Sequence, residues 1–213
     1  MHAEPTRETD MKRDMSIRRT LGAALVVATA TACAPTWAAE AFGGNYVETS
    51  IGFTRPASVS DERIAAAIDS ETDLMLALAF GTSVAPKVRL ESEVAYVKVA
   101  WDIGGLGEVT GDGISVGTNL LYDIGEASSP LRFEVGLGLG WFFADEACIE
   151  GSGARVCVDA DFDDWNVQAL AGSSWAVSDT GAIVARYRLW HTGGFDREDR
   201  LHVFTVGYRH RFE

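Results

Sequence analysis

Leu131-Arg132-Phe133-Glu134-Val135-Gly136-Leu137-Gly138-Leu139-Gly140-Trp141-Phe142-Phe143 carries a large apolar side chain at every odd position and, as far as Gly140, a charge or a glycine at every even one. Period two marks a β-strand, in which successive side chains point to opposite faces. The stretch is about twice the usual strand length of a soluble protein. In a soluble sandwich its greasy face would be core and the other a solvated surface. A face that long, ringed by aromatics and backed by glycine and charge, suits a wall that meets lipid.

The same alternation recurs along the chain. Val47, Thr49, Ile51 and Phe53 share one face; so do Leu74, Leu76, Leu78 and Phe80, then Val88, Leu90, Val94 and Tyr96, then Ile114, Val116, Thr118, Leu120 and Tyr122. After the Leu131 segment come Trp165, Val167, Ala169, Ala171, Trp175 and Val177, then Ile183, Ala185, Tyr187 and Leu189, and finally Phe204, Val206, Tyr208, His210 and Phe212. The count is eight strands. Between them, long segments (54–73, 101–113, 144–164 and 192–200) alternate with shorter ones (83–87, 123–130 and 178–181). Alternating long loops and short turns, and an even strand number, predict an all-β, eight-stranded, antiparallel up-and-down transmembrane barrel. Closure removes every sheet edge, which is what allows strands to span lipid.

Residues 1–39 read as a secretory signal peptide, with a basic stretch at Arg18-Arg19, an apolar run from Leu21 to Ala30 and small residues around Ala38-Ala39. Acids at Glu4, Glu8, Asp10 and Asp14 do not suit such a segment, so translation is expected to start at Met11 or Met15. Residues 40–213 would then form the barrel. The apolar run is too short for a spanning helix. A net charge of −13 argues against nucleic acid as a partner. Cys148 and Cys157 would meet an oxidising compartment and are expected to form a disulfide.

The signal, the opening strand Tyr46–Phe53, the closing strand Leu201–Phe212 and the strand count together resemble the small outer-membrane β-barrel family, the opacity-type and OmpA-like transmembrane barrels. The resemblance implies a place in the outer membrane of a Gram-negative cell, contact with lipid and lipopolysaccharide, and insertion by the barrel-assembly machinery. It also implies a closing-strand assembly signal, here Tyr208 and Phe212, although Glu213 follows where such chains usually end on the aromatic residue.

An eight-stranded barrel is just wide enough to be filled by side chains. Inward parity gives a lumen network of Glu48, Arg89, Glu91, Glu93, Arg132, Glu134, Arg186, Arg188, Arg209 and Arg211, with Asn166 and Gln168 beside it. The expected result is a salt-bridged plug; the alternative is a wet lumen with solvated charges. Asp159, Asp161 and Asp163 alternate in an acidic stretch and offer hard oxygen ligands for a divalent cation, but the EF-hand register fails. His191 is a candidate acid or base for lipid A modification, oriented by Asp196 or Glu198. The segment only faintly resembles a deacylase motif, since Gly193 stands where a serine is needed. No cofactor is called for. The functional expectation is a non-catalytic surface barrel, envelope-structural or adhesion-type, displaying four long acidic loops to host or cell-surface ligands. Passage of a small solute or apolar ligand through the barrel is the alternative, and a lipid A-modifying enzyme a third reading.

Overall fold

The computed structural model describes residues 44–58, 69–70, 72–102, 108–126, 129–151, 154–192 and 200–212. The signal peptide expected over residues 1–39 lies outside them. The strands are β1 (Asn45–Ser58), β2 (Asp69–Ser70), β3 (Asp73–Ala85), β4 (Val88–Asp102), β5 (Glu108–Ile124), β6 (Leu131–Gly151), β7 (Ala154–Ala176), β8 (Gly181–Thr192) and β9 (Arg200–Arg211). Eight of them form a closed antiparallel ring in the order β4-β3-β1-β9-β8-β7-β6-β5, shut by β4 against β5. The two-residue β2 lies outside the ring's count. It pairs with Asp102 and Trp101 at the end of β4, beyond the Met75–Val97 pair where β3 stops following it.

Every barrel strand has at least the 9–11 residues that a tilted spanning strand requires. Parity then sorts the side chains. Leu137 is 70% and Leu139 60% exposed on the outer face, whereas Glu134 on the same strand is 3% exposed in the lumen. Exposed aromatics flank the aliphatic band: Phe53 and Trp141 toward one rim, and Tyr122, Phe133, Trp175 and Phe212 toward the other, where a bilayer interface favours such rings. Among the described residues no helix is long and apolar enough to cross a membrane.

The two ends of the barrel differ. At one, the turns are tight and laced together: Asp123 N–H donates to the Lys87 carbonyl, Ala176 N–H to that of Pro130, and Arg211 N–H to that of Thr180, each at 2.8 Å. These bonds satisfy backbone groups where the ring pairing runs out. Lys87 adopts φ 64° in the two-residue β3–β4 turn, a left-handed residue following Pro86, whose ring fixes a negative φ at the first turn position.

At the other end the structure corrects the sequence reading. Residues 144–164, expected as a long loop, continue β6 and β7 as a paired hairpin, with Cys148 opposite Cys157 and only residues 152–153 between the strands. Residues 101–113 likewise belong mostly to β4 and β5, which pair out to Asp102 and Glu108. The paired backbone satisfies its own hydrogen bonds, which an irregular segment of that length would have to do with water. The barrel wall is therefore taller along β4–β7. Among the described residues β8 joins β7 only from Asn166 onward, so residues 154–165 form an edge, and the acidic run lies on it. Charge on an edge strand discourages pairing with another chain.

Cys148 and Cys157 are disulfide-bonded and lock the register of this hairpin. Closing so short a loop is worth about 2.5–3 kcal/mol in the chain-entropy model. Replacing both cysteines by serine is expected to loosen the hairpin tip and leave the barrel intact. Limited proteolysis should then cut within residues 144–164 at least several-fold faster, with an unchanged heat-modified gel shift.

Candidate functional site

Position along β4 and β8 orders the lumen. From the turn end upward, β4 sends Arg89, Glu91, Glu93, Ala95 and Val97 inward, and β8 sends Arg186, Arg188 and Trp190. The lower part is charged and the upper part is apolar.

Arg186 is the hub. Its Nη1 and Nη2 donate to the two oxygens of Glu91, each at 2.9 Å; Nη1 lies 3.1 Å from Glu48 Oε1; and Nε donates to Glu134. A planar fork of five donors suits this arrangement, because it can bind two carboxylates edge-on while its Nε serves a third. Arg209 bridges Glu48 at 2.8 Å and Glu134 at 3.1 Å. Arg89 reaches Glu134 at 2.6 Å and Asp123 at 2.7 Å. All these groups except Asp123 are nearly fully buried, so each charge depends on its partners for the solvation it has given up.

Tyr46 threads the network. Its hydroxyl donates to Glu91 Oε2 at 2.9 Å and accepts from Arg89 Nη1 at 2.8 Å, while the guanidinia of Arg89 and Arg209 lie 5.3 and 4.8 Å from its ring centroid. Gly81, its cross-strand partner, leaves the room: a Cβ there would run into the Tyr46 ring. Above the hub, Asn119 donates to Glu91 at 3.2 Å and accepts from Gln168 at 2.7 Å; Trp190 Nε1 in turn donates to Gln168. Glu93 and Arg188 form a separate ion pair. Over them lies an apolar layer of Met75, Ala95, Val97, Trp190 and Val203.

The structure thus brings together Glu48, Arg89, Glu91, Glu134, Arg186 and Arg209, and sets Glu93 with Arg188 apart. Arg132 and Arg211 lie lower, at the turn-end mouth. Tyr46, Asp123, Asn119 and the apolar layer were absent from the sequence-based list, although parity places Tyr46 on the face of Glu48 and Asp123 on that of Asn119. The side chains of Asp159, Asp161 and Asp163 lie outside the described ones, as do Asp196 and Glu198. Among the described residues no group of His, Cys, Asp and Glu has the arrangement of a metal site. His191 is half-buried at the loop end of β8, on the outward parity opposite to Trp190. Tyr208 and Phe212 are exposed on the outer wall near the turn end, with His210 edge-on to Phe212.

The model of the family described as outer membrane protein beta-barrel domain matches residues 24–212. Among solved structures, the chain is similar to Neisserial surface protein A, with 17% identity, a TM-score of 0.56, and coverage of 79% of this chain and 97% of that one. It is also similar to the outer membrane protein OprG from Pseudomonas aeruginosa, with 14% identity, a TM-score of 0.51, and coverage of 80% and 96%. No curated protein matches the sequence.

Proposed function

The chain belongs to the outer membrane protein beta-barrel domain family, and from that premise we propose that it is a non-catalytic surface barrel of the outer membrane whose lumen is a plug. Its working surface would be the tall β4–β7 side of the loop end. The observation that carries this reading is the filled interior: the charged network and the apolar layer succeed one another along the axis, so a solute would have to break both. The extended hairpin supports the second half. β6 has 21 residues against 12 in β9, and the excess projects about 30 Å along the strand at ~3.3 Å per residue, presenting a rigid, acidic edge. Rigid scaffolds that present loops and hairpins are where binding usually resides. Lipopolysaccharide, host surfaces and neighbouring cells are the partners in reach of that edge. The signal over residues 1–39 and an assembly signal at Tyr208 and Phe212 belong to the same proposal.

One observation favours passage instead. Arg188 Nε and Nη2, Glu93 Oε2 and Thr82 Oγ1 are buried without a hydrogen-bond partner among the described residues, and such atoms ordinarily hold water. Planar-bilayer recording of the refolded protein separates the two readings. Silence at voltages where a porin conducts is expected; regular unitary openings would overturn the plug and make passage the function.

A further inference from the structure

We propose that the turn-end mouth of the barrel is a binding site for a phosphate group. The mouth encloses a cavity of about 150 Å³, room for roughly five waters at the volume each takes in the liquid. Five basic side chains line it, Lys87, Arg89, Arg132, Arg209 and Arg211, and they come from the β3–β4 turn, β4, β6 and β9. Two acids share the wall. Asp123 is already held by Arg89, whose Nε and Nη2 both donate to it, and Glu126 is exposed in the β5–β6 turn.

The basic groups are not equivalent. Arg89 and Arg209 are nearly fully buried and committed to the carboxylates beneath them, so they form a fixed floor. Arg211 lies two residues beyond Arg209 on the same face of β9 and is half-buried. Among the described residues no carboxylate lies within ion-pair distance of it. A half-buried guanidinium crowded by other cations is poorly solvated and gains most from an incoming anion. Lys87 stands exposed at the lip and adds a mobile charge. Donors that converge from several strands favour a tetrahedral anion with several oxygens over a monocarboxylate, which offers two in one plane. Chloride has no directional acceptor geometry to match. Because the chain as a whole carries a net charge of −13, a polyanion is repelled elsewhere, and this mouth is a local inversion of the field.

The phosphate could be free in the periplasm, carried on a small phosphorylated solute, or the headgroup of an inner-leaflet lipid at the barrel rim. The test is isothermal titration of the refolded protein with inorganic phosphate in octyl glucoside micelles, which contain no phosphate, at constant ionic strength. Saturable binding is expected, about tenfold or more weaker in Arg211→Gln, since a hydrogen bond to a charged group is worth ~1.5–3 kcal/mol. Arg200→Gln, an exposed change at the opposite end, is expected to bind like the parent, and both variants should keep the heat-modified gel shift of the folded barrel. Repeating the titration in phosphatidylglycerol nanodiscs separates the sources: loss of phosphate binding there assigns the site to a headgroup, and unchanged binding assigns it to a soluble phosphate. The proposal is overturned by absence of saturable binding in micelles, by equal affinity in Arg211→Gln, or by acetate and chloride binding as well as phosphate.

Discussion

Arg186→Ala is expected to cost about 3–5 kcal/mol of barrel stability, the loss typical of a buried ion pair stripped of one partner. Three buried carboxylates converge on this side chain, which is itself 1% exposed, and they do not suffer equally when it goes. Glu134 keeps Arg89 and Arg209, and Glu48 keeps Arg209. Among the described residues Glu91 keeps the Tyr46 hydroxyl and the Asn119 amide, two neutral donors for a full charge. Glu91→Gln in the Arg186→Ala background is therefore expected to recover a large part of the loss, while Glu48→Gln recovers less. Arg186→Lys is expected to rescue poorly, because a single ammonium cannot span three carboxylates. Urea unfolding in lipid vesicles, followed by tryptophan fluorescence, reads all four. A loss below about 1 kcal/mol for Arg186→Ala, the scale of solvated surface pairs, would mean that the lumen is wet and would remove the basis for the plug.

The sorting of wall from lumen was legible because lipid on one side and a filled interior on the other impose strict alternation. The Leu131–Phe143 stretch shows it directly, and parity carried from strand to strand placed Arg186 and Glu91 on the same inner surface. Strand ends were not legible for the same reason. Above the membrane both faces of β6 and β7 leave the lipid, alternation ceases to be required, and Ala144-Asp145-Glu146-Ala147-Cys148 reads as loop although its backbone stays in the ladder on both sides of an irregularity at Asp145. The apolar lumen layer was hidden in a different way. Leu74-Met75-Leu76, Leu189-Trp190 and Val203-Phe204 are greasy on both faces, so no contrast marks Met75, Trp190 or Val203 as inward. Pairing within the network depends on closure and register. Glu48 and Arg209 are directly opposed across the β1–β9 seam, a contact between residues 161 apart that exists only once the first and last strands meet.

Glu93 and Arg188 should behave in the opposite way to the Arg186 hub. Glu93→Leu alone leaves a fully buried guanidinium under the apolar layer of Met75, Val97, Trp190 and Val203, and is expected to cost about 3–5 kcal/mol. The double change Glu93→Leu with Arg188→Met is expected to be neutral or up to ~1–4 kcal/mol more stable than the parent. The asymmetry follows from satisfaction of the groups. At the hub every Arg186 nitrogen has a carboxylate; here Arg188 Nε and Nη2 and Glu93 Oε2 are buried without a hydrogen-bond partner among the described residues, so the pair's attraction offsets less of its desolvation. Leucine and methionine would extend the apolar layer downward by one residue on β4 and β8 with little change in volume. With the Arg188→Met single variant added, the same urea titration completes a double-mutant cycle, in which the coupling between the two positions should be at least as large as the two single-mutant losses together. A double variant as unstable as the single one would show that ordered water already satisfies those three atoms, that the layer is hydrated rather than dry, and that the barrier to passage rests on the Arg186 hub alone.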